Sequence, residues 1–471
     1  MKKIVVAAVA MVGSAVGAQA ADLPVKAPVY KAPVAQVYDW TGFYVGANAG
    51  LGFGRSSTHV YSPAAYSFET TRLGDVGALG GVQAGYNWQL QSLLGFNNVV
   101  LGVEADIQGS GLDDKYSCGY QCGLAGFGYQ QKLDWFGTVR GRIGLATGPV
   151  LSYFTGGLVY GDVKTSITNF NTPADSATFS NTRTGWTIGS GVEASLGGNW
   201  TAKAEYLYLN LGDQSGINPV TGSTYSSDIR AHIFRAGVNY RIGGNSLYAS
   251  TPAANWAGFY VGGNAGGATA LNRSSFITPT SNVFTQFNLS PDGFIGGVQA
   301  GYNFQAGNFV YGLEADFQGS TLKDNNNCLI TCTSGAAANF NQKMQWFGTV
   351  RGRAGYTLGS TLFYATGGLA YGNVKTTVQG LVGGGTPFAA DFDRTRTGYA
   401  VGGGIESPFE FLGLFGPNWT SKTEYLYVNL GRSTDTFTAG AFPVVFSTKA
   451  EQHTLRTGLS YHFNSPVIAK Y

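Results

Sequence analysis

Trp135-Phe-Gly-Thr-Val-Arg-Gly-Arg142 reads as a β-strand with two unlike faces. Thr138, Arg140 and Arg142 share one side, while Trp135, Val139 and, one step on, Ile143 share the other. The stretch recurs as Trp346 to Arg353. Moving outward from it, Val82-Gln-Ala-Gly-Tyr-Asn-Trp88 returns as Val298 to Phe304, and Asn199 to Gly212 returns as Asn418 to Gly431. Trp40-Thr-Gly-Phe-Tyr-Val-Gly has its twin in Trp256-Ala-Gly-Phe-Tyr-Val-Gly. The offset stays between 210 and 221, so the two copies are collinear. A unit of about 205 residues is too long for a solenoid repeat, so each copy is a whole domain or half of one larger one.

Composition narrows the class. Glycine takes 71 of 471 positions, roughly twice its usual share. Aromatic residues reach 14% against 12% charged. Disordered chains show the reverse balance. The glycines lack a period of three, which excludes collagen, and glycine in every segment excludes a helical bundle. A net charge of +3 makes no electrostatic case for nucleic acid as a partner. An all-β protein remains.

Residues 1–20 stand apart from the fold. Lys2 and Lys3 precede an apolar run from Ile4 to Val16, and Ala18-Gln19-Ala20 forms a small-x-small cleavage site. This pattern is a secretory signal peptide, cut between Ala20 and Ala21. The run is too short to span a bilayer as a helix, and no later apolar stretch reaches about 18 residues. If the exported chain meets a membrane again, it does so as strands.

Within the first copy, period-2 patterning predicts eight strands, starting near Phe43, Val82, Val100, Asp134, Ser152, Thr184, Trp200 and His232. Connections alternate between long polar loops of about 15 to 22 residues and short turns such as Ala146 to Pro149 and Ser195 to Gly198. That layout matches an antiparallel transmembrane β-barrel with its short turns in the periplasm. One face of each strand carries charge and glycine; the other carries aliphatic and aromatic residues. A soluble β-sandwich would turn the apolar face to its core, a barrel in lipid would turn it outward, and parity alone leaves both open. Export, the loop asymmetry and the abundance of Tyr and Trp favour the barrel.

On that reading the inward set of the first copy is Glu104, Asp106, Arg140, Arg142, Glu193, Lys203, Glu205 and Arg235, four acids and four bases. Its counterparts are Glu314, Asp316, Arg351, Arg353, Glu406, Lys422, Glu424 and Arg456. Buried charge demands partners, so near balance predicts a closed lumen network. Gly81, Gly85, Gly185, Gly189 and Gly191 fall on the same face and leave room for the long side chains. A conducting path lined by these charges is the alternative.

The motifs Trp40-Thr-Gly-Phe-Tyr-Val-Gly-Ala-Asn-Ala-Gly, Gly-Gly-Val-Gln-Ala-Gly-Tyr-Asn, Trp-Phe-Gly-Thr-Val-Arg-Gly-Arg and Glu205-Tyr-Leu-Tyr resemble the Omp25/Omp31-like outer-membrane proteins of alphaproteobacteria. The resemblance covers both copies and implies eight-stranded, porin-family barrels in the outer membrane of a Gram-negative bacterium. It implies outer-membrane lipid and lipopolysaccharide as surroundings and the outer-membrane assembly machinery as a partner. Members of that family usually carry one copy. Two tandem eight-stranded units would be plugged, whereas one sixteen-stranded barrel could hold an aqueous channel and act as a porin for small hydrophilic solutes. The segment 243–255 between the copies contains Pro252 and exceeds the other turns, which favours two barrels. The expected domains are the signal peptide 1–20, a Pro-rich periplasmic tether 21–38, repeats 39–242 and 256–463 around the linker 243–255, and a tail 464–471.

Smaller signals remain. Cys118 and Cys122, and Cys328 and Cys332, occupy equivalent loops, and the oxidising compartment makes each pair a candidate disulfide. Zinc is the other reading of the cysteines, although no histidine or further cysteine lies near. His232 and His453 are equivalent and suit a rim hydrogen bond, with metal or haem as the sharper alternatives. No Gly-x-Ser-x-Gly elbow or Cys–His pairing occurs, and His59 has no counterpart in the second copy, so neither an enzyme nor a bound cofactor is expected. Residues 22–38 repeat Lys-Ala-Pro-Val, which favours extended chain. In related proteins a mature amino terminus beginning Ala-Asp can be joined to peptidoglycan, and Ala21-Asp22 matches. Leu459, Tyr461 and Phe463 alternate as a terminal strand.

Overall fold

A computed structural model describes residues 38–463, apart from the segments 63–66, 75, 94–95, 119–126, 170–172, 174–175, 219–221, 244–253, 279–282, 327–336, 383–384 and 410–414. The signal peptide, nearly all of the tether, most of the linker, the tail and the residues Cys122, Cys328 and Cys332 lie outside the described residues, as does the side chain of Cys118.

The first copy contains β1 (Gly42–Gly54), β2 (Ser56–Ser62), β3 (Ser67–Leu73), β4 (Val76–Leu93), β5 (Phe96–Cys118), β6 (Phe127–Thr147), β7 (Val150–Asn169), β8 (Ala177–Gly197), β9 (Trp200–Ile217) and β10 (Thr224–Ile242). The second contains β11 (Gly258–Thr269), β12 (Asn272–Thr278), β13 (Val283–Leu289), β14 (Asp292–Ala306), β15 (Phe309–Asn326), β16 (Ala337–Leu358), β17 (Thr361–Val382), β18 (Thr386–Pro408), β19 (Trp419–Ala439) and β20 (Phe442–His462). In each copy eight of the ten strands form an antiparallel meander that closes on itself. β1 pairs with β10 from Phe43↔Ile242 to Gly54↔Ala231, and β11 pairs with β20 from Tyr260↔His462 to Thr269↔His453. A single sixteen-stranded barrel would require β10 to pair with β11. The edge of each last strand is instead taken by the first strand of its own copy, so the chain forms two eight-stranded barrels.

The remaining two strands of each copy were expected as loop. β2 and β3 form a hairpin from the first outer connection and dock on the outer part of β10, from Thr224↔Tyr61 to Asp228↔Ser57. β12 and β13 do the same on β20. The other outer connections are also shorter than the sequence suggested, because the strands continue pairing through them. Their alternation is hidden by bulges, since a one-residue slip flips every later side chain to the other face. In β6 the inward set runs Phe136, Thr138, Arg140 below a register shift at Asp134, and Tyr129, Gln131, Leu133 above it. In β9 the shift follows Asn210, whose Oδ1 accepts a hydrogen bond from Gly212 N at 2.9 Å. Gly212 has φ +75°, and its equivalent Gly431 has +74°, a conformation open to glycine at little cost. The Asn-Leu-Gly ending of the repeated motif is therefore a bulge signal.

Orientation is decided by neighbours in sequence. Arg140 is 1% exposed while Val139 beside it is 52% exposed. Phe43, Val82, Ile107, Ile143, Phe154, Leu158 and Trp186 all stand on the outer surface. A surface this apolar over every strand suits lipid and would be a severe liability in water. The packed core sits in the lumens, apart from a smaller cluster of Val150, Val192, Ala194 and Ile405 where outward faces of the two copies meet.

Candidate functional site

Each lumen is filled in three layers, and the first barrel is described from its periplasmic end upward. Trp40 enters just ahead of β1 and packs with Val100, Ala146, Leu151 and Tyr153. Its indole Nε1 donates to the Gly148 carbonyl at 3.1 Å, and its backbone N donates to Gln89 Oε1 at 2.7 Å. The turn between β6 and β7 thus pins the ring across the mouth. Trp256 packs likewise with Val310, Leu362 and Tyr364 and donates from its backbone N to Gln305 Oε1 at 2.7 Å, while its indole Nε1 is buried without a hydrogen-bond partner among the described residues.

Above the tryptophan lies the charge layer. Register sets it: Glu104 faces Arg140 across β5 and β6, and Arg235 faces Glu205 across β9 and β10. Arg140 pairs with Glu104, with Asp106 at 3.0 Å and with Glu205 at 3.0 Å. Arg235 reaches Asp106 at 2.8 Å and Glu205 at 2.6 Å. Lys203 meets Glu104 at 2.8 Å, and Arg142 meets Glu193 at 3.1 Å. All eight sequence-selected residues come together in one network. Their eight counterparts do the same. Arg351 joins Glu314 at 2.6 Å, Asp316 at 3.0 Å and Glu424 at 3.1 Å. Arg456 joins Asp316 and Glu424, Lys422 joins Glu314, and Arg353 joins Glu406, all between 2.6 and 2.8 Å.

Tyrosines complete this layer, and reading the sequence for charge alone missed them. Tyr44 donates to Glu104 at 2.8 Å and Tyr153 to Glu205 at 3.0 Å. Their rings also flank Arg142, with centroids 4.7 and 5.1 Å from the guanidinium carbon. Tyr260 and Tyr364 repeat both roles around Arg353. The available signal was parity, since Tyr44 alternates with the outward Phe43 and Val45. Gly191 shows why the glycines sit inward: a Cβ there would lie 2.6 Å from the Tyr153 ring.

The third layer is a dry belt. Leu79, Leu112, Leu133, Phe136, Val159, Leu207, Leu209 and Ile233 close over the charges in the first barrel. Ile295, Leu322, Met344, Phe347, Val374, Leu426 and Val428 do so in the second. With tryptophan below and aliphatic side chains above, each ionic layer is sealed from water on both sides.

Of the other candidates, His232 Nδ1 lies 2.9 Å from Tyr206 Oη, and His453 Nδ1 lies 2.6 Å from Tyr425 Oη. His59 lies on β2, and His462 approaches Glu406 at 3.4 Å. Among the described residues, no group of three His, Cys, Asp or Glu side chains is disposed to hold a metal ion.

This arrangement has relatives. A 31 kDa outer-membrane immunogenic protein of Brucella melitensis biotype 1 is 41% identical over 254 residues, covering 51% of this chain and 100% of the relative. A 25 kDa outer-membrane immunogenic protein of the same organism is 29% identical, covering 51% of this chain and 98% of the relative. A 22 kDa outer membrane protein of Rhizobium leguminosarum bv. viciae is 36% identical, covering 38% and 68%. Among solved structures, the attachment invasion locus protein Ail of Yersinia pestis matches 42% of this chain and 99% of its own at 16% identity, with a TM-score of 0.18. The Omp25/Omp31-like resemblance is thus confirmed by these relatives, and the protein resides in the outer membrane of a Gram-negative bacterium. The model of the outer membrane protein beta-barrel domain matches residues 6–241 and again 242–463, so the chain belongs to that family and carries its domain twice in tandem.

Proposed function

We propose that the protein is a structural component of the outer membrane that displays its outer strands and loops at the cell surface, with both lumens closed and no catalytic role. The observation that carries this reading is the layered lumen. Charge networks of zero net formal charge, each held between a tryptophan and a dry aliphatic belt, leave no aqueous route. The strands continue beyond the dry belt and carry outward polar residues such as Lys132, Lys164 and Lys343 with them, which suits display. Passive diffusion of small hydrophilic solutes through a sixteen-stranded pore is the competing role, and it loses support from the separate closure of each copy.

Planar-bilayer recording of the purified chain tests the reading. The expected record shows no stable open channel above the bare bilayer. Large, long-lived conductance steps would replace it with the porin. A second element of the proposal is a link from Ala21 to peptidoglycan through the Lys-Ala-Pro-Val tether. Mass spectrometry of muramidase-digested sacculi should find a muropeptide on Ala21; a free amino terminus there removes the link.

A further inference from the structure

The two barrels share a scaffold but differ at one rung of their outer surface, just above the aromatic girdle. In the first barrel the rung runs Asp113↔Lys132↔Lys164 across β5, β6 and β7. It is neutralised locally. Lys132 lies 3.7 Å from Asp113, and Lys164 lies 2.7 Å from Asp134 and 3.7 Å from Asp162. In the second barrel the same rung runs Lys323↔Lys343↔Lys375 across β15, β16 and β17. The three acids of the first barrel are replaced at equivalent positions by Lys323, Gln345 and Asn373.

Three lysines therefore stand directly opposite one another on adjacent strands, an arrangement that repels. Among the described residues none of the three pairs with a carboxylate. An acid ends the rung on each side: Asp292 stands opposite Lys323 and pairs with Arg55, and Asp393 stands opposite Lys375, its Oδ1 accepting a hydrogen bond from Asn373 Nδ2 at 2.6 Å. Adjacent strands lie about 4.8 Å apart, so the ammonium groups cover a strip of about 10 Å, the scale of a polyanionic headgroup.

Height above the lipid selects the partner. Trp346 stacks on Phe317 at 5.6 Å and meets the Tyr371 ring at 6.2 Å, marking the girdle directly below the rung. Lys375 lies four residues outward of Tyr371, about 10 Å higher once strand tilt is counted. Beneath the girdle the lipid-facing wall is hollowed into a groove of about 1070 Å³ that runs from β20 across β11 and β14 to β15, bordered by Leu459, Val261, Val298, Ala315, Phe317 and Tyr371. The cationic strip and the apolar groove meet at β15, where Phe317 lies below Lys323, so one amphiphile can bridge headgroup and acyl levels there.

We propose that Lys323, Lys343 and Lys375 bind the anionic headgroup of an outer-leaflet glycolipid whose acyl chains occupy the groove below. The site belongs to the second barrel alone and makes the tandem copies unequal. It goes beyond the structural role above and requires only the outer-membrane location, so conductance results leave it untouched.

The full-length chain in detergent micelles is titrated with diphosphorylated lipid A, and bound lipid is counted by native mass spectrometry. The triple variant Lys323→Gln, Lys343→Gln, Lys375→Gln should weaken binding about tenfold or more. Replacing the same residues by arginine should retain it. The control Lys132→Gln, Lys164→Gln in the first barrel should bind as the parent does. Heat-modifiable mobility on gels verifies that each variant is folded. Should the triple variant misfold, Asp113→Lys, Asp134→Gln, Asp162→Asn in the first barrel tests the same idea by gain, raising the bound lipid from one to two per chain. Unchanged binding by a folded triple variant overturns the site, as do equal loss in the first-barrel control and no gain in the rebuilt rung. Equal affinity for dephosphorylated lipid A overturns the headgroup assignment. Full displacement by inorganic pyrophosphate shows a free-anion site and overturns the lipid assignment.

Discussion

Arg140 illustrates how single residues hold this protein together. Its guanidinium is shared among Glu104, Asp106 and Glu205, none of which has access to water. A buried ion pair adds little net stability, but removing one partner strands the others. Arg140→Met should therefore cost the first barrel about 3–5 kcal/mol, read as a lower urea midpoint for loss of heat-modifiable mobility. The second barrel keeps its own network around Arg351 and should unfold at the parental midpoint. A parental midpoint for both barrels would show that the layer does not bear on stability. Gly212 is the second sensitive residue. It sits at φ +75° in the bulge of β9, so Gly212→Val should lose roughly 1–2 kcal/mol through backbone strain alone. The same substitution at Gly156, which opens onto the lipid face at ordinary φ, is the control and should lose less on the same urea assay.

At the level of elements, closure and decoration separate. β1 and β10 pair over the full length of β1, and this seam makes the barrel. The hairpin β2–β3 only continues the outer edge of β10. Replacing residues 56–73 by a short Gly-Ser turn should leave an inserted, heat-modifiable barrel with trimmed outer strands. Failure to insert would mean that the hairpin helps form the seam. The long outer strands draw support from both faces. In the first barrel the outward face carries cross-strand ion pairs such as Lys164 with Asp134. In the second, the inward face carries an aromatic cluster including Phe276, Phe287, Phe340 and Phe446. These contacts offset the entropy of ordering segments that would otherwise be loops.

For the whole molecule, the decisive fact is that each copy satisfies its own backbone. A membrane barrel tolerates no open edge in the lipid, and among the described residues the eight-strand meander of each copy closes on itself, leaving only β3 and β13 as edges in the outer hairpins. Among the described residues the copies share no strand pairing, but they touch: Arg55 pairs with Asp292, Phe53 packs on His453, Phe234 packs on Tyr425, and Val192 and Ala194 pack with Ile405. A protease site placed within 244–253 and cut after insertion should yield two fragments, each heat-modifiable and each keeping its own urea midpoint. Loss of mobility in either fragment would show that the barrels depend on one another to fold. The duplication therefore supplies two barrels in one polypeptide without a wider pore.

Much of this was legible in the residues themselves. Period-2 alternation exposed all eight meander strands, and parity picked out the sixteen lumen charges, because strand geometry ties sequence position to face. Collinear repeats revealed the two copies. The resemblance in Trp40 to Gly50 and Trp135 to Arg142 pointed to the family. Other features needed three dimensions. Whether the last strand of each copy meets its own first strand or its neighbour's depends on long-range pairing that no local pattern encodes. The outer ends of the strands were masked by bulges, which reverse parity in β6 and β9. Trp40 closes the mouth only because the β6–β7 turn comes beside it to accept its indole hydrogen bond, and Lys323, Lys343 and Lys375 become one cationic strip only through register. The sequence by itself determined which faces and which charges; the folded chain alone decided what closes on what, because closure is a property of hydrogen-bonded partners far apart along the chain.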